Sequence, residues 1–515
     1  MTRKKLPIGI QTFREIREDN CYYVDKTAFA LRMIQEGKAY FLSRPRRFGK
    51  SLFLDTLAEL FAGNEPLFLG LYCHDKWDWS VKYPVIRISF GAGISRGNAE
   101  ELAGRIRELL RENARRLGLT LEDASIPGQF SQLILDAETR FGQRVVVLVD
   151  EYDKPILDNL TRPDLAREMR DGLRDFYSVI KDQDAHIRFA MLTGVSKFSK
   201  VNIFSGLNNL NDITLDAGYS DICGYTDADV DTVFAPELEG LDRGEIRHWY
   251  NGYNWRGEAV YNPFDLLLLF QKREFRPFWF ETGTPTFLVD MLTERKVFLP
   301  KLGHLEASDR LLSAFEVGDI STEALMFQAG YLTIAGEKKR GDNLSFALTY
   351  PNHEVRSALT SHVMEAWIGN PHKAEESRFA LYDALEINDF ARIREIFFSL
   401  YASIPHDWYR KNDIDHFEGY YASVFYASFA ALGLDIVPED VSNRGRLDMT
   451  VKFNGQIYLF EFKVVEDEAE GRALAQIREK QYADKYRSLN QPIHLIGIEF
   501  SKKARNVVGF EAGKV

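Results

Sequence analysis

The sequence predicts an α/β protein in three parts, with a parallel sheet first and a small mixed sheet last. Three observations carry that expectation. A short apolar run at 39–42 passes through Ser43-Arg44-Pro45-Arg46-Arg47-Phe48-Gly49-Lys50-Ser51 into an amphipathic helix. Farther on, Val145-Val146-Val147-Leu148-Val149 ends in Asp150-Glu151, the pattern of a buried parallel strand delivering acids to its C-terminal edge. Near the end, Asn454-Gly455 separates two alternating runs, the strongest short-range signal for a two-residue hairpin.

Length and composition agree. A chain of 515 residues exceeds one ordinary core and suggests roughly three domains. With 45% hydrophobic, 27% charged and 13% aromatic residues, the composition is globular, without the bias of disorder or of collagen-like repeats. The three cysteines, Cys21, Cys73 and Cys223, form no CxxC pair and no metal spacing, so they read as buried thiols in a reducing compartment. No apolar h-region follows the basic N-terminus, and the longest apolar stretch, 419–434, falls short of the ~20 residues of a membrane span. It also holds Ser423 and Ser428 and reads as a buried core helix. A cytoplasmic protein with no membrane segment is expected. The net charge of −11 argues against wholesale coating of nucleic acid, yet phosphate contacts can be confined to one groove.

Along the chain, strands are expected at 39–42, 85–90, 145–149 and 188–192, with helices at 100–117 and 131–141 between them. That alternation defines a first domain over 1–225. The next stretch, 226–353, mixes helical segments with aromatic turns such as Trp249-Tyr250-Asn251-Gly252-Tyr253 and Tyr261-Asn262-Pro263-Phe264. Such aromatics can stack on bases, but core packing is the stronger reading. His304, His353 and His416 form no ligand spacing, so no zinc is expected. A third domain covers 354–515: a helical connector to 403, then from 412 a helix, a strand, its hairpin partner, a helix and a strand.

Strand, tight loop and helix are the context that a phosphate-binding P-loop requires. Backbone N–H groups around Gly49 and the helix N-terminus attract phosphate oxygens, Lys50 reaches the β- and γ-phosphates, and Ser51 ligates Mg²⁺. The usual motif opens with glycine, and Arg44 stands in that place. Asp150 is expected to help hold Mg²⁺ and Glu151 to polarise the attacking water. The strand at 188–192 leads into Thr193, Ser196 and Lys197, where a γ-phosphate sensor would sit. Arg46 and Arg47 contact phosphate, a partner subunit or only solvent. The plain alternative, a helix cap and a solvated turn, must explain strand, loop and order together.

In the C-terminal hairpin, a turn at Asn454-Gly455 makes paired residue numbers sum to 909, so Asp448 faces Glu461. Lys463 then projects from the same face as Glu461. Directly opposed side chains have Cβ atoms about 4.5–5.5 Å apart, and two carboxylates so placed repel. A divalent metal bridging Asp448 and Glu461 offsets that cost, since Mg²⁺ takes carboxylates, waters and substrate phosphate. Lys463 holds the attacking water or stabilises charge on the phosphorane. Charges alternating along a strand more often mark a solvated face. The hairpin that sets Asp448 against Glu461 is what favours a site.

These segments resemble two known families. LPIGIQTFREIREDNCYYVDKT, FLSRPRRFGKSLFLDTL, VVVLVDEYDKPI and MLTGVSKFSKVNIFSGLNNLNDIT, over 6–215, resemble the AAA-ATPase-like family found at the N-terminus of many bacterial proteins. RPRRFGKS is the characteristic loop of that family, so the resemblance makes Arg44 a family trait. It implies an ATP-binding P-loop core with Lys50, Ser51, Asp150 and Glu151 in the roles above, and with Asp25 and Lys26 near the nucleotide. WYNGY, YNPF, ETGTPTFL and FQAGYLTI recur in relatives and imply a lid or winged-helix-like segment without assigned chemistry.

At the other end, EGYYASVFY, GRLD, YLFEFK and AQIREKQY, over 355–503, resemble the PD-(D/E)XK nuclease superfamily, with Leu447-Asp448 in place of proline-aspartate. The resemblance implies Glu418 as a further metal ligand, and Gln476 and Tyr482 lining the site. Mg²⁺ is the expected metal, with Mn²⁺ as an alternative.

The fold expected is thus a P-loop NTPase parallel sheet, a mixed helical, winged-helix-like middle and a restriction-endonuclease-like α/β core. The function expected is ATP binding and hydrolysis coupled to Mg²⁺-dependent cleavage of nucleic acid, DNA first, in defence or nucleic-acid processing. A homo-oligomer is left open. The competing reading is a signalling or scaffold ATPase whose nuclease-like part only binds nucleic acid or a partner. A helicase lacks support, because no helicase motif series is present.

Overall fold

The computed structural model describes residues 3–91, 98–197, 209–281, 288–289, 291–292, 295, 297–312, 320–403 and 417–515, the side chains of 281 and 417–420 excepted. Two compact units emerge: Met1–Trp279 with Glu306–Asn352, and Phe280–Leu305 with His353–Val515.

The first unit is built on five strands: β1 (Ala39–Ser43), β2 (Val85–Ser89), β3 (Val145–Asp150), β4 (Ile187–Gly194) and β5 (Asn211–Asp212). Their order is β2-β3-β4-β1-β5, and every pairing is parallel. The continuous apolar runs follow from burial on both faces: β1 is buried throughout and β3 up to Val149. All four strands expected for this sheet are present, and only its two-residue β5 was not foreseen. Helix Ala99–Leu117 starts at its Asn98 cap, which accepts from Glu101 N, and stops at Gly118 in the left-handed region. Helix Ile126–Phe141 begins earlier than periodicity suggested. Ser125 caps it and Pro127 sits in its first turn, so start signals outweigh the helix-weakening Gly128.

The aromatic turns farther along are core. Tyr250, Tyr253 and Tyr261 are fully buried, and Tyr250 and Tyr261 belong to a cluster with Tyr22, Phe234 and Phe270. They are not exposed for stacking on bases. A second sheet, β6 (Leu305–Ser308), β7 (Thr333–Arg340) and β8 (Asn343–Thr349), has the order β6-β8-β7, with β7 and β8 antiparallel.

In the second unit the expected connector consists of helices His353–Ile368, Pro371–Glu386 and Phe390–Ser403. A mixed sheet follows, of order β13-β12-β11-β10-β9: β9 (Asp435–Ser442), β10 (Gly445–Phe453), β11 (Gln456–Val465), β12 (Ile493–Ser501) and β13 (Asn506–Lys514). β11 and β12 run parallel and the other neighbours antiparallel. Helix Phe417–Ala431 covers one face, with Phe425 against Phe462 and Phe429 against Phe460 at 5.2 Å each. Helix Arg472–Glu479 covers the other, joining Leu474 and Ile477 to Leu447, Ile457, Leu459, Ile493 and Leu495.

Two of these strands escaped the sequence reading. β9 carries Pro438 and three acids and looks like a loop; at a sheet edge its missing N–H is tolerated. β13 closes the opposite edge. The hairpin is as expected. Asn454 and Gly455 have φ of 46° and 69°, the type I′ signature, and the pairs from Met449↔Phe460 to Phe453↔Gln456 keep the 909 sum. Replacing Gly455 with valine should destabilise the second unit by about 1–2 kcal/mol, the cost of a β-substituted residue in the left-handed region. Urea unfolding checks this, and an unchanged midpoint would contradict the turn.

Two candidate active sites

The C-terminal ends of β1, β3 and β4 meet at the phosphate loop. Gly49, at φ 92°, caps helix Lys50–Phe61, a backbone that glycine adopts without strain. Arg44 occupies the place of the motif's first glycine, and its side chain runs into the protein. It is 1% exposed. Its guanidinium donates to the carbonyls of Ser43 at 2.8 Å, Thr214 at 2.9 Å and Tyr219 at 3.1 Å, and lies 4.2 Å from the Trp255 ring centroid. Burial lowers its pKa to about 10, which still leaves it charged at neutral pH. Arg44 therefore ties the loop to 214–219 and to the aromatic turn.

Lys50 is buried, and its Nζ donates to the carbonyls of Arg44 and Pro45 at 2.9 Å each. Burial lowers its pKa, and the nearby charges of Asp150, Asp153 and Glu151 oppose that fall. Ser51 is half-buried in the first helical turn. Arg46 and Arg47 are exposed and diverge in their surroundings. The Arg46 charge bears on Glu151, whereas Arg47 lies 4.4 Å from the Phe264 ring centroid.

At the end of β3, Asp150 accepts from Thr193 Oγ1 at 2.7 Å and from Glu151 N at 3.0 Å. Thr193, the expected sensor, is wholly buried and orients this acid. Glu151 sits at φ 52°, and burial followed by repulsion from Asp150 raises its pKa. Asp153, not singled out from the sequence, is 1% exposed and accepts from Val195 N at 3.1 Å, Ser196 N at 2.6 Å and Ser196 Oγ at 2.9 Å. Burial pushes its carboxyl up to about 6 despite these bonds. It pins the segment after β3 to the segment after β4. Asp25 uses both oxygens on the protein, accepting from Thr27 and from Tyr72 N. Lys26 pairs with Asp229 at 3.1 Å, and its charge, with those of Arg44 and Lys50, bears on the buried Cys223 thiol.

In the second unit, the face of β11 that packs under helix Arg472–Glu479 changes from apolar to polar along Leu459, Glu461 and Lys463. Glu461 is 1% exposed. Its Oε1 accepts from Lys463 Nζ at 2.9 Å and from Gln476 Nε2. Its Oε2 is buried with no hydrogen-bond partner among the described residues. Burial, then the charge of Asp448, pushes the carboxyl up to about 7, against the pull of Lys463. Asp448 lies one residue beyond the last pair of the β10–β11 ladder, Met449↔Phe460, and its charge bears on Glu461. There Asp448 Oδ2 accepts from Phe462 N at 2.7 Å.

Tyr482 donates to the Arg446 carbonyl at 3.0 Å, and the Glu461 charge adds to the burial that raises its pKa. Glu418 lies on helix Phe417–Ala431, but its side chain is outside the described residues. The orphaned Glu461 Oε2 beside Asp448 fits a hard divalent cation, which seeks carboxylate oxygen. No cluster of three or more ligand side chains occurs among the described residues.

The fold and these two sites define a chain that joins a P-loop-type nucleotide module to a nuclease-like module. Comparison with known proteins makes that specific. Residues 7–204 match the AAA-ATPase-like model, described as Predicted AAA-ATPase, and residues 416–510 match the PD-(D/E)XK nuclease superfamily. An "Uncharacterized protein in vnfD 5'region" from Azotobacter chroococcum mcd 1 is 65% identical over 511 residues, 99% of each chain. The chain belongs to the AAA-ATPase-like family and carries a PD-(D/E)XK nuclease superfamily domain at its C-terminus. No solved structure matches it. Among the described residues, no helix is long and apolar enough to cross a membrane.

Two further residues had readable signals. Gly497, isolated in the apolar strand IHLIGIEF, marks a close backbone approach: an added Cβ would lie 2.3 Å from Leu474 N. Glu499, an acid in the same strand, is 2% exposed. Gly497→Ala should therefore push the helix off the sheet and cost about 1–3 kcal/mol of stability, measured by urea unfolding. Arg44→Ala removes three hydrogen bonds to carbonyls, of which that of Tyr219 keeps a second donor, Ile222 N at 3.3 Å, and should cost roughly 3 kcal/mol. Arg44→Lys should recover little of that in the same measurement, because an ammonium cannot reproduce the planar fork.

Proposed function

We propose that this protein hydrolyses ATP at the first unit and cleaves phosphodiester bonds with Mg²⁺ at the second, nucleotide turnover controlling cleavage. The observation that carries the nuclease reading is the Glu461 carboxylate, buried with Oε1 bound to Lys463 and Gln476 and Oε2 unpartnered beside Asp448. A buried carboxylate oxygen left without a partner is costly, and a divalent cation held by the two acids would remove that cost. Bound there, Mg²⁺ lowers the pKa of a ligated water and neutralises charge on the phosphate. Asp448 and Glu461 hold the cation. Lys463, fixed by its bond to Glu461, presents its ammonium to the attacking water or the developing phosphorane charge. Gln476 keeps Glu461 in place, and Tyr482 walls the site.

In the first unit Lys50 exchanges its two loop carbonyls for the β- and γ-phosphates, and Gly49 opens the backbone toward them. Ser51 and Asp150 hold Mg²⁺, with Thr193 orienting Asp150. Glu151 polarises the attacking water, and Arg46 adds positive charge at the mouth of the site. DNA is the substrate expected first, bound along a restricted groove because the net charge is −11.

Cleavage of single- and double-stranded DNA and of RNA, with Mg²⁺ or Mn²⁺ and with or without ATP, tests this. Wild type should cut at least one substrate. Lys463→Ala should lower the rate about 10²–10³-fold, the usual loss of one charge-stabilising group. Lys50→Ala should abolish ATP hydrolysis and remove the response of cleavage to ATP. ATP hydrolysis without cleavage under every condition would leave a signalling ATPase with a nucleic-acid-binding module.

A further inference from the structure

Four backbone N–H groups converge on one buried carboxylate at the start of helix Arg472–Glu479. Glu499 Oε2 accepts from Glu470 N and from Gly471 N at 3.0 Å, and Oε1 accepts from Arg472 N at 2.6 Å and Ala473 N at 3.2 Å. Burial alone would raise its pKa, but these donors outweigh it and hold the carboxyl below its ordinary value, so it stays ionised. A carboxylate at this place satisfies the orphan donors of the first turn and matches the positive end of the helix dipole. Its strand register is informative. Glu499 pairs with Lys463 across β11–β12, and Gly497 pairs with Glu461. The strand that flanks the proposed metal site thus also carries both contacts that fix the helix above it. Gly497 lets the helix backbone approach, and Glu499 sets its rotation and its start.

One turn in from that anchored end, Gln476 donates to Glu461 Oε1. This bond and the one from Lys463 occupy Oε1 and leave Oε2 buried without a hydrogen-bond partner among the described residues, under the charge of Asp448. We infer that Glu499 is a positioning residue: through its clamp on the helix start it places Gln476 on Glu461, and so presents Glu461 Oε2 to a divalent cation. The inference rests on the nuclease reading for its consequence but not for its geometry. Glu499 touches neither metal nor substrate.

Full-length wild type, Gln476→Ala, Glu499→Gln, Glu499→Asp and the Gln476→Ala/Glu499→Gln double variant are compared for Mn²⁺ binding by calorimetry. A crystal structure of the Glu499→Gln protein accompanies them. Glu499→Gln keeps the shape but loses the charge and one acceptor. It should weaken Mn²⁺ binding about tenfold, the scale of removing support around a metal ligand. Glu499→Asp withdraws the clamp while keeping the buried charge, and serves if the glutamine variant does not fold. The double variant should bind no more weakly than Gln476→Ala alone, because both changes act through one bond. In the crystal, Gln476 should have left Glu461. Multiplying effects, or Gln476 still on Glu461 with unchanged Mn²⁺ binding, would overturn the inference. If wild type binds no Mn²⁺, the nuclease reading fails, and the Gln476 position in the variant crystal alone decides whether Glu499 holds it.

Discussion

A carboxylate taken out of water is pushed toward keeping its proton unless partners gather round it, and Glu461 is subject to both pulls. It is 1% exposed, and burial with the charge of Asp448 pushes it up to about 7. Lys463 and Gln476 supply donors to one oxygen only. The rest of the second unit is arranged to keep this acid there. One face of the sheet begins as an apolar layer of Ile457, Leu459, Ile493 and Leu495 against Leu474 and Ile477, and ends as a polar floor of Glu461, Lys463 and Glu499. The apolar half anchors the helix, and the polar half lies where the same helix starts.

The first unit meets the same problem with the opposite charge. Arg44 is buried where a small residue usually lets a phosphate loop turn, and three carbonyls and the Trp255 ring take up its guanidinium. The loop conformation is thereby fixed from behind, by protein contacts, before any phosphate arrives. Preorganisation of this kind lowers the ordering cost of binding an anion. Asp153 does the corresponding work on the acid side, bonding the chain after β3 to Val195 and Ser196 after β4.

Much of this was legible in the sequence, and the reasons differ by element. β1, β3 and β4 are continuous apolar runs because parallel strands are buried on both faces, so their existence could be read directly. The hairpin was readable because Asn454-Gly455 permits only a few turns and the two-residue period then fixes every partner. β9 was not, since Pro438 and its acids carry a loop's composition and only the edge position makes them a strand. Asp153 and Arg44 were not placed either: their partners lie far along the chain, at Ser196 and at Thr214 and Tyr219. Gly497 and Glu499 left a trace, a small residue and an acid inside an apolar strand, but their meaning depends on a helix that local sequence does not place.

The hairpin turn acts at a distance. Met449 lies five residue steps before Asn454, about 17 Å at ~3.4 Å per residue, and Asp448 lies just beyond. Because the side-chain period is two, a one-residue slip of β10 against β11 would carry Asp448 to the opposite face of the sheet while Glu461 stayed under its helix. The two-residue turn that pins this register therefore governs the placement of an acid well away from it.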